Sequence, residues 1–174
     1  MKKFITLIAA IIFETLSISS AMAAEQGFFS LIGGGITPMK DSVSTSISLG
    51  LSLGGGFNFN QYVGIEGQFV LLGMATSNTL SAHPIAVMIN GYLPIQERLN
   101  MFAKVGKSFT TVSSGTADTS VSQSAITNVY GYGIEFPYGE KMKYRFGVDH
   151  YDLSVVPGTT LSTNYINVVA IVSY

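Results

Sequence analysis

The sequence predicts an all-β protein: an eight-stranded antiparallel up-and-down transmembrane β-barrel, preceded by a cleavable signal peptide. Three observations lead there. The first residues have the layout of a secretory signal. The remainder is apolar and poor in charge, yet has no apolar run long enough for a membrane-crossing helix. Its apolar residues alternate with a period of two in eight successive stretches.

The signal comes first. Lys2 and Lys3 precede an apolar run from Phe4 to Phe13, and Ala-Met-Ala follows at positions 21–23. A basic start, a short apolar core and an A-x-A end describe a secretory signal peptide. The run is too short for a transmembrane helix of about 20 apolar residues. Cleavage is expected after Ala23, giving a signal peptide over 1–23 and one barrel domain over 24–174. Without Lys2, Lys3 and Glu14, seven basic and nine acidic residues remain. That balance offers no basic footprint for nucleic acid. The absence of cysteine excludes disulfides, a thiol nucleophile and thiolate metal sites. A secreted chain that is apolar, sparse in charge and without spanning helices points to a β-barrel in a membrane.

Eight strand-like stretches follow, at 27–37, 45–59, 62–73, 82–93, 100–111, 125–136, 141–152 and 163–174. In the first, GFFSLIGGGIT, both parities hold apolar residues, so its faces are ambiguous. The second contains SISLGLSLGGGFNFN. Its odd positions are Ile47, Leu49, Leu51, Leu53, Gly55, Phe57 and Phe59, and its even positions are only Ser, Gly and Asn. Strict alternation marks a strand with one apolar face. The opposite face is tiny and uncharged, as suits the interior of a barrel just wide enough to be filled by side chains. The third stretch turns Val63, Ile65, Phe69 and Leu71 outward and Glu66 and Gln68 inward. The eighth turns Ile166, Val168, Ala170, Val172 and Tyr174 outward, with Tyr165, Asn167 and Ser173 on the other face. Three connections are short, at 58–62, 94–99 and 137–140. Four are longer and rich in Ser, Thr and Gly, at 38–44, 74–81, 112–124 and 153–162. Outer-membrane barrels have short periplasmic turns and longer outer loops, so both termini are expected in the periplasm. The longer connections are expected to be flexible, hydrated outer loops with few charges: Lys40, Asp41, Asp118 and, at an edge, Asp152. With no tryptophan, Phe and Tyr must form the interfacial girdles. Phe57, Phe59, Phe136, Tyr144 and Tyr174 fall near the periplasmic rim, and Phe69 and Phe109 toward the other.

The inward parity of the third, fifth, sixth and seventh stretches carries Glu66, Lys104, Glu135 and Arg145. All four lie at similar distances from a short turn, and Glu135 and Arg145 are equidistant from Glu140, which places them opposite each other in a hairpin. Charges buried in a narrow lumen must pair, because an unpaired one is very costly. Asp149 and Lys143 share the inward parity and can extend the group. A static plug holding the strands in register would satisfy all of this.

An enzyme has little to work with. The two histidines, His83 and His150, have no serine at a spacing that makes a nucleophile–base–acid set. Two histidines on separate strands also make a weak metal site, and the Gly-rich runs lack the lysine and helix of a phosphate loop. No catalytic residue, cofactor or metal is expected.

The segments GFNFNQYVGIEGQF, MFAKVGK, YGYGIEF and KYRFGVDHYD, in that order, resemble the barrel domain of outer membrane protein A and its small relatives, over essentially all of residues 24–174. The resemblance implies a monomeric barrel in the outer membrane of a Gram-negative bacterium, in contact with its lipids and lipopolysaccharide. It implies that the terminal aromatic Tyr174 is part of the signal read by the barrel insertion machinery. It also implies that Glu66, Lys104, Glu135 and Arg145 form a switchable lumen network able to gate conductance. In small members the outer loops contact host cells, serum proteins or phage. Larger members add a peptidoglycan-binding domain; with the sequence ending at Tyr174, none is expected. The expected role is structural or surface-interacting, adhesion-like, with a charged and mostly plugged lumen. A narrow gated pore and a lipid-modifying enzyme are the alternatives.

Overall fold

The computed structural model describes residues 26–40, 45–72, 79–96, 99–116, 119–156 and 159–174. The segment read as a signal peptide lies outside them. Eight strands follow in order: β1 (Gly27–Lys40), β2 (Thr45–Asn58), β3 (Val63–Leu72), β4 (Thr79–Gln96), β5 (Leu99–Thr116), β6 (Thr119–Tyr138), β7 (Met142–Val156) and β8 (Thr159–Ser173). Each pairs antiparallel with its sequence neighbours, and β8 pairs with β1 to close the barrel. Closure leaves no unpaired sheet edge, which is what a lipid environment demands of a sheet.

Alternation fixes the two faces. In β3 every second residue from Gly64 to Leu72 is buried, while Val63, Ile65 and Leu71 are exposed. The ambiguous first strand turns Phe29, Leu31 and Thr37 inward and Phe28, Ile32 and Ile36 outward. Its glycines explain the ambiguity. Gly35 belongs to the inner face but has no side chain because the Ile166 carbonyl and the Tyr165 ring occupy that space: a Cβ there would collide with the carbonyl oxygen and stand 2.8 Å from the ring. Gly50 on β2 meets the same ring at 2.6 Å. Small residues in β1 and β2 thus make room for a large one from β8.

The pairing also sets the stagger. A row of partners leaving Ser173 on β8 runs through Phe29, Gly56, Glu66, Met88, Gly106, Val129 and Tyr151 and returns to β8 at Thr163. One circuit therefore climbs ten residues, as expected of strands tilted by roughly 35–45° to the barrel axis.

The two rims differ from expectation in one respect. At the rim holding Gly27 and Ser173, hereafter the terminal rim, the connections are short. Asn60 Oδ1 accepts hydrogen bonds from the backbone N–H groups of Tyr62, at 2.8 Å, and Val63, at 2.9 Å, closing the β2–β3 turn. Gly139, at φ +77°, serves the β6–β7 turn. At the far rim the stretches expected to be loops are mostly ladder. β5 and β6 stay in register to Thr116 opposite Thr119, and β7 and β8 stay paired to Val156 opposite Thr159, with a register shift between Ser154 and Val156. β4 begins at Thr79, within the expected 74–81 loop. Composition misleads here: Ser and Thr are common in loops, but Thr is also a good strand former, and pairing with an established neighbour overrides weak local preference. Of the loop charges, Asp41 and Asp118 and the Lys40 side chain lie outside the described residues.

Inside the barrel the apolar residues form two groups. One, toward the far rim, contains Val70, Leu72, Met88, Val129, Tyr151, Leu153 and Tyr165. The other, toward the terminal rim, contains Phe29, Leu31, Val169 and Ile171, with Tyr92 against Phe102 nearby. The buried charges lie beneath the first and alongside the second, Arg145 being the register partner of Val169.

A buried charge network as the candidate functional site

β6 and β7 bring the first pair together. Glu135 and Arg145 are register partners. Arg145 Nη2 lies 2.7 Å and Nε 2.8 Å from Glu135 Oε1. Arg145 also reaches across the lumen to β3, where Nη1 is 2.6 Å from Glu66 Oε2. The other oxygen of Glu66 is 3.3 Å from Lys104 Nζ, and Lys104 in turn is 3.1 Å from Asp149 Oδ2. The result is a chain of alternating charge, Glu135, Arg145, Glu66, Lys104, Asp149, whose members are each at most 3% exposed. Lys143 also faces inward and is buried.

Lys104 does not sit between Glu66 and Glu135. Its second carboxylate is Asp149, because Lys104, Gly131 and Asp149 are successive partners in one row across β5, β6 and β7. Gly131 is the gap that lets them meet. A Cβ there would stand 2.9 Å from Lys104 Cε and collide with Asp149 Oδ1. Glu135 lies four residues nearer the terminal rim on β6 and is engaged by Arg145.

Neutral groups complete the network. Asn90 Nδ2 donates to Glu66 Oε2 at 3.0 Å and to the Tyr92 hydroxyl at 3.1 Å. Asn167 Nδ2 donates to Asp149 Oδ2 at 3.0 Å. The Phe102 ring packs under the guanidinium of Arg145, with its centroid 4.5 Å from Cζ, a favourable cation–π arrangement. Gly133 and Gly147 make room for that ring: a Cβ on either would stand within 2.9 Å of it. Sequence reasoning missed Asn90, Tyr92 and Phe102, although all three have the inward parity of β4 and β5. A cavity of about 10 Å³, room for about one water, adjoins Glu135 and Arg145 on the terminal side, where Lys143, Asn58 and Ser173 line it.

The remaining candidates lie on the outer surface. Tyr174 is 76% exposed at the terminal rim; its hydroxyl is 2.9 Å from Ser30 Oγ and its backbone N–H bonds Phe28 O at 3.0 Å. Phe28, Phe57 and Phe59 form an edge-to-face aromatic series at the same rim. His83 faces outward on β4, opposite Thr111. His150 stacks on Tyr130, with 4.6 Å between centroids, and its Nδ1 lies 2.8 Å from Asn164 Oδ1. Among the described residues no group of three His, Cys, Asp or Glu could hold a metal ion.

A closed eight-stranded barrel with an apolar exterior and a charged, filled interior is matched by one family model. The description "outer membrane protein beta-barrel domain" covers residues 10–173. The chain belongs to that family. Its setting is accordingly the bacterial outer membrane, as an integral barrel. No curated protein matches it in sequence. Its fold is shared with Neisserial surface protein A at a TM-score of 0.75 and 11% identity, over 85% of this chain and 97% of that one. It is similar to Ail, the attachment invasion locus protein of Yersinia pestis, at 0.58 and 17%, over 84% and 99%. The N-terminal barrel domain of Pseudomonas aeruginosa OprF matches at 0.61 and 10%, over 84% and 98%. At these identities the likeness is one of fold. This family member thus shares its barrel with surface and attachment proteins, while its lumen has to be read from its own residues.

Proposed function

We propose that this barrel has a structural and surface-interacting role in the outer membrane, that its lumen is a closed plug, and that it has no catalytic role. The observation that carries the plug is the five-residue charge chain, which fills the lumen beside the apolar group of the terminal rim and beneath that of the far rim. A conducting path would have to part both. We place the terminal rim in the periplasm, because its turns are short and outer-membrane barrels keep their short turns there. Residues 1–23 are the export signal, removed before insertion, and Tyr174 is read by the insertion machinery. The surface role rests on the neighbours' names, an attachment protein and a surface protein. The far-rim hairpins and the loops between them carry it in a monomer.

Two measurements test this. The protein should resist extraction from membranes without detergent, and should migrate faster on a gel unheated than boiled. In planar bilayers it should show no steady single-channel conductance; steady openings of the unmodified protein would replace the plug by the second reading, a narrow gated pore. That reading has its own support in Lys104, which shares its ammonium between two carboxylates and could give one up. Surface binding compared with variants trimmed at the four far-rim connections would reveal whether those segments contact a partner.

A further inference from the structure

The ladders that close the wall do not all reach the far rim. β5 and β6 stay paired up to Thr116 opposite Thr119, but the β6–β7 ladder stops at Val129 opposite Tyr151. Beyond that level Thr119–Asn128 is paired on its β5 side and, among the described residues, has no ladder partner on the side of β7. Asp152–Val156 on β7 likewise pairs with β8 alone. The side chains part in the same way. Tyr130 and His150 are register partners and stack across the seam, with 4.6 Å between centroids. Just above, Asn128 Oδ1 lies 2.7 Å from Lys107 Nζ on β5. On the other side His150 Nδ1 lies 2.8 Å from Asn164 Oδ1 on β8, and its Nε2 lies 3.4 Å from Asp152 Oδ1 on its own strand.

The edge left on β6 is ten residues long, where a whole strand usually has about 5–6. A row of unpaired N–H and C=O groups is a template for another strand, and proteins commonly blunt such rows with Lys or Pro. The part of β1 beyond its ladder with β8, Thr37–Lys40, has that protection in Pro38 and Lys40. The β6 edge, TSVSQSAITN, has no charged residue and no proline. An open edge does not occur in hydrocarbon, so it stands at or above the lipid surface. It nevertheless carries the exposed Ile126, the end of a row of outward register partners formed by Ile85, Phe109 and Ile126. The connections beside the edge, 117–118 and 157–158, hold two residues each, too few to pair ten.

We propose that the far-rim edge of β6, Thr119–Asn128, receives an extended segment of another polypeptide as an added antiparallel strand. Its backbone takes the ladder bonds that β7 leaves unmade. Its outward side chain beside Ile126, β-branched or aromatic, continues the Ile85–Phe109–Ile126 row as a cross-strand pair. This deepens the surface role proposed above: that the partner is an external one rests on that role and on the orientation, whereas the pairing itself rests on neither.

The probe is a fluorescent peptide with the sequence of residues 107–116, KSFTTVSSGT, the stretch that β6 already pairs with on its other side. Titrated into the protein folded in detergent, it should bind saturably. Hydrogen exchange at every second amide of Thr119–Asn128 should slow, because alternate residues of an antiparallel strand face the new neighbour. Of two peptides N-methylated at alternate residues, one should bind at least tenfold more weakly and the other as the parent does. Ile126→Lys, which puts a charge on the edge, should also weaken binding at least tenfold; unheated gel migration verifies that it is folded. Absence of binding, equal binding of both methylated peptides, or unchanged exchange would each overturn the proposal. So would a dimer in which those alternate amides are already slow without peptide, since a second copy would then occupy the edge. These readings use the unmodified protein and stand even if Ile126→Lys does not fold. They are also blind to orientation. Labelling of Ser162→Cys from outside intact cells tests that separately, since the protein has no native cysteine; failure to label would overturn the external partner and leave the edge pairing in place.

Discussion

Arg145 stands opposite Glu135 in the β6–β7 ladder, and from that one position it also holds Glu66 on the far side of the lumen. Without Arg145, Glu135 loses both of the hydrogen bonds that Arg145 makes to it, and Glu66 keeps only Lys104 and Asn90. Arg145→Ala should therefore destabilise the barrel by about 3–5 kcal/mol, the usual cost of stranding a buried partner, less whatever lumen water recovers. Glu135→Gln with Arg145→Ala should cost less than the two single changes added together. Urea unfolding in lipid vesicles gives the cycle; additive effects would mean that the pair contributes no coupling.

Lys104→Met separates the plug from the gate. It removes the link between Glu66 and Asp149 and leaves Glu135 with Arg145. In a plug the consequence is lower stability with conductance still absent. In a gate, steady openings should appear in single-channel records. Asp149→Asn should act in the same direction and more weakly, since Lys104 keeps Glu66.

Gly131→Ala should disrupt the network without touching a charge. Its Cβ has no room between Lys104 and Asp149, and overpacking of this kind costs about 1–3 kcal/mol. Gly91→Ala is the control, because the nearest atom to a Cβ there is 3.9 Å away, Ala103 O. Comparable unfolding midpoints for the two variants would contradict the close packing around Gly131.

Tyr174→Ser, or deletion of Tyr174, should lower the yield of inserted barrel and leave unfolded chain in the periplasm. Part of the effect on the folded protein comes from losing the hydroxyl contact to Ser30. Tyr174→Phe loses that contact but keeps the terminal aromatic, so it should insert nearly as well as the native chain. Insertion of the deletion at native levels would remove Tyr174 from the assembly signal.

The alternation of single residues made the fold legible. Leu49, Leu51 and Leu53 against Ser48, Gly50 and Ser52 give a strand, a face and a class of environment without further knowledge. Counting from a tight turn likewise relates Glu135 to Arg145, because a hairpin conserves distance from its turn. Neither rule reaches across the barrel. Which acid Lys104 meets depends on the stagger accumulated over several seams and on the missing side chain at Gly131, and no local pattern states either. The far-rim extensions were hidden for a different reason. Val112 to Thr116 and Thr119 to Ser124 look like loop by composition, and only their mutual pairing makes them strand.

The ten-residue climb leaves the sheet a discrete choice at its last step. Sliding β8 along β1 by two residues would preserve inside and outside everywhere and forfeit few backbone hydrogen bonds, since the side-chain period is two. Hydrophobic patterning alone cannot reject such a misclosure. The charges can. A slipped seam would change the stagger all round and shift Glu66 against Arg145 across the lumen by about one strand residue, roughly 3 Å. Glu135 with Arg145 and Lys104 with Asp149 would stay in register, but the contacts of Glu66 that join them would be lost in a space too narrow for a hydration shell. The five residues therefore work as a keyed lock for ring closure: only one of the evenly spaced alignments lets every key turn, whether or not an ion ever crosses the finished barrel.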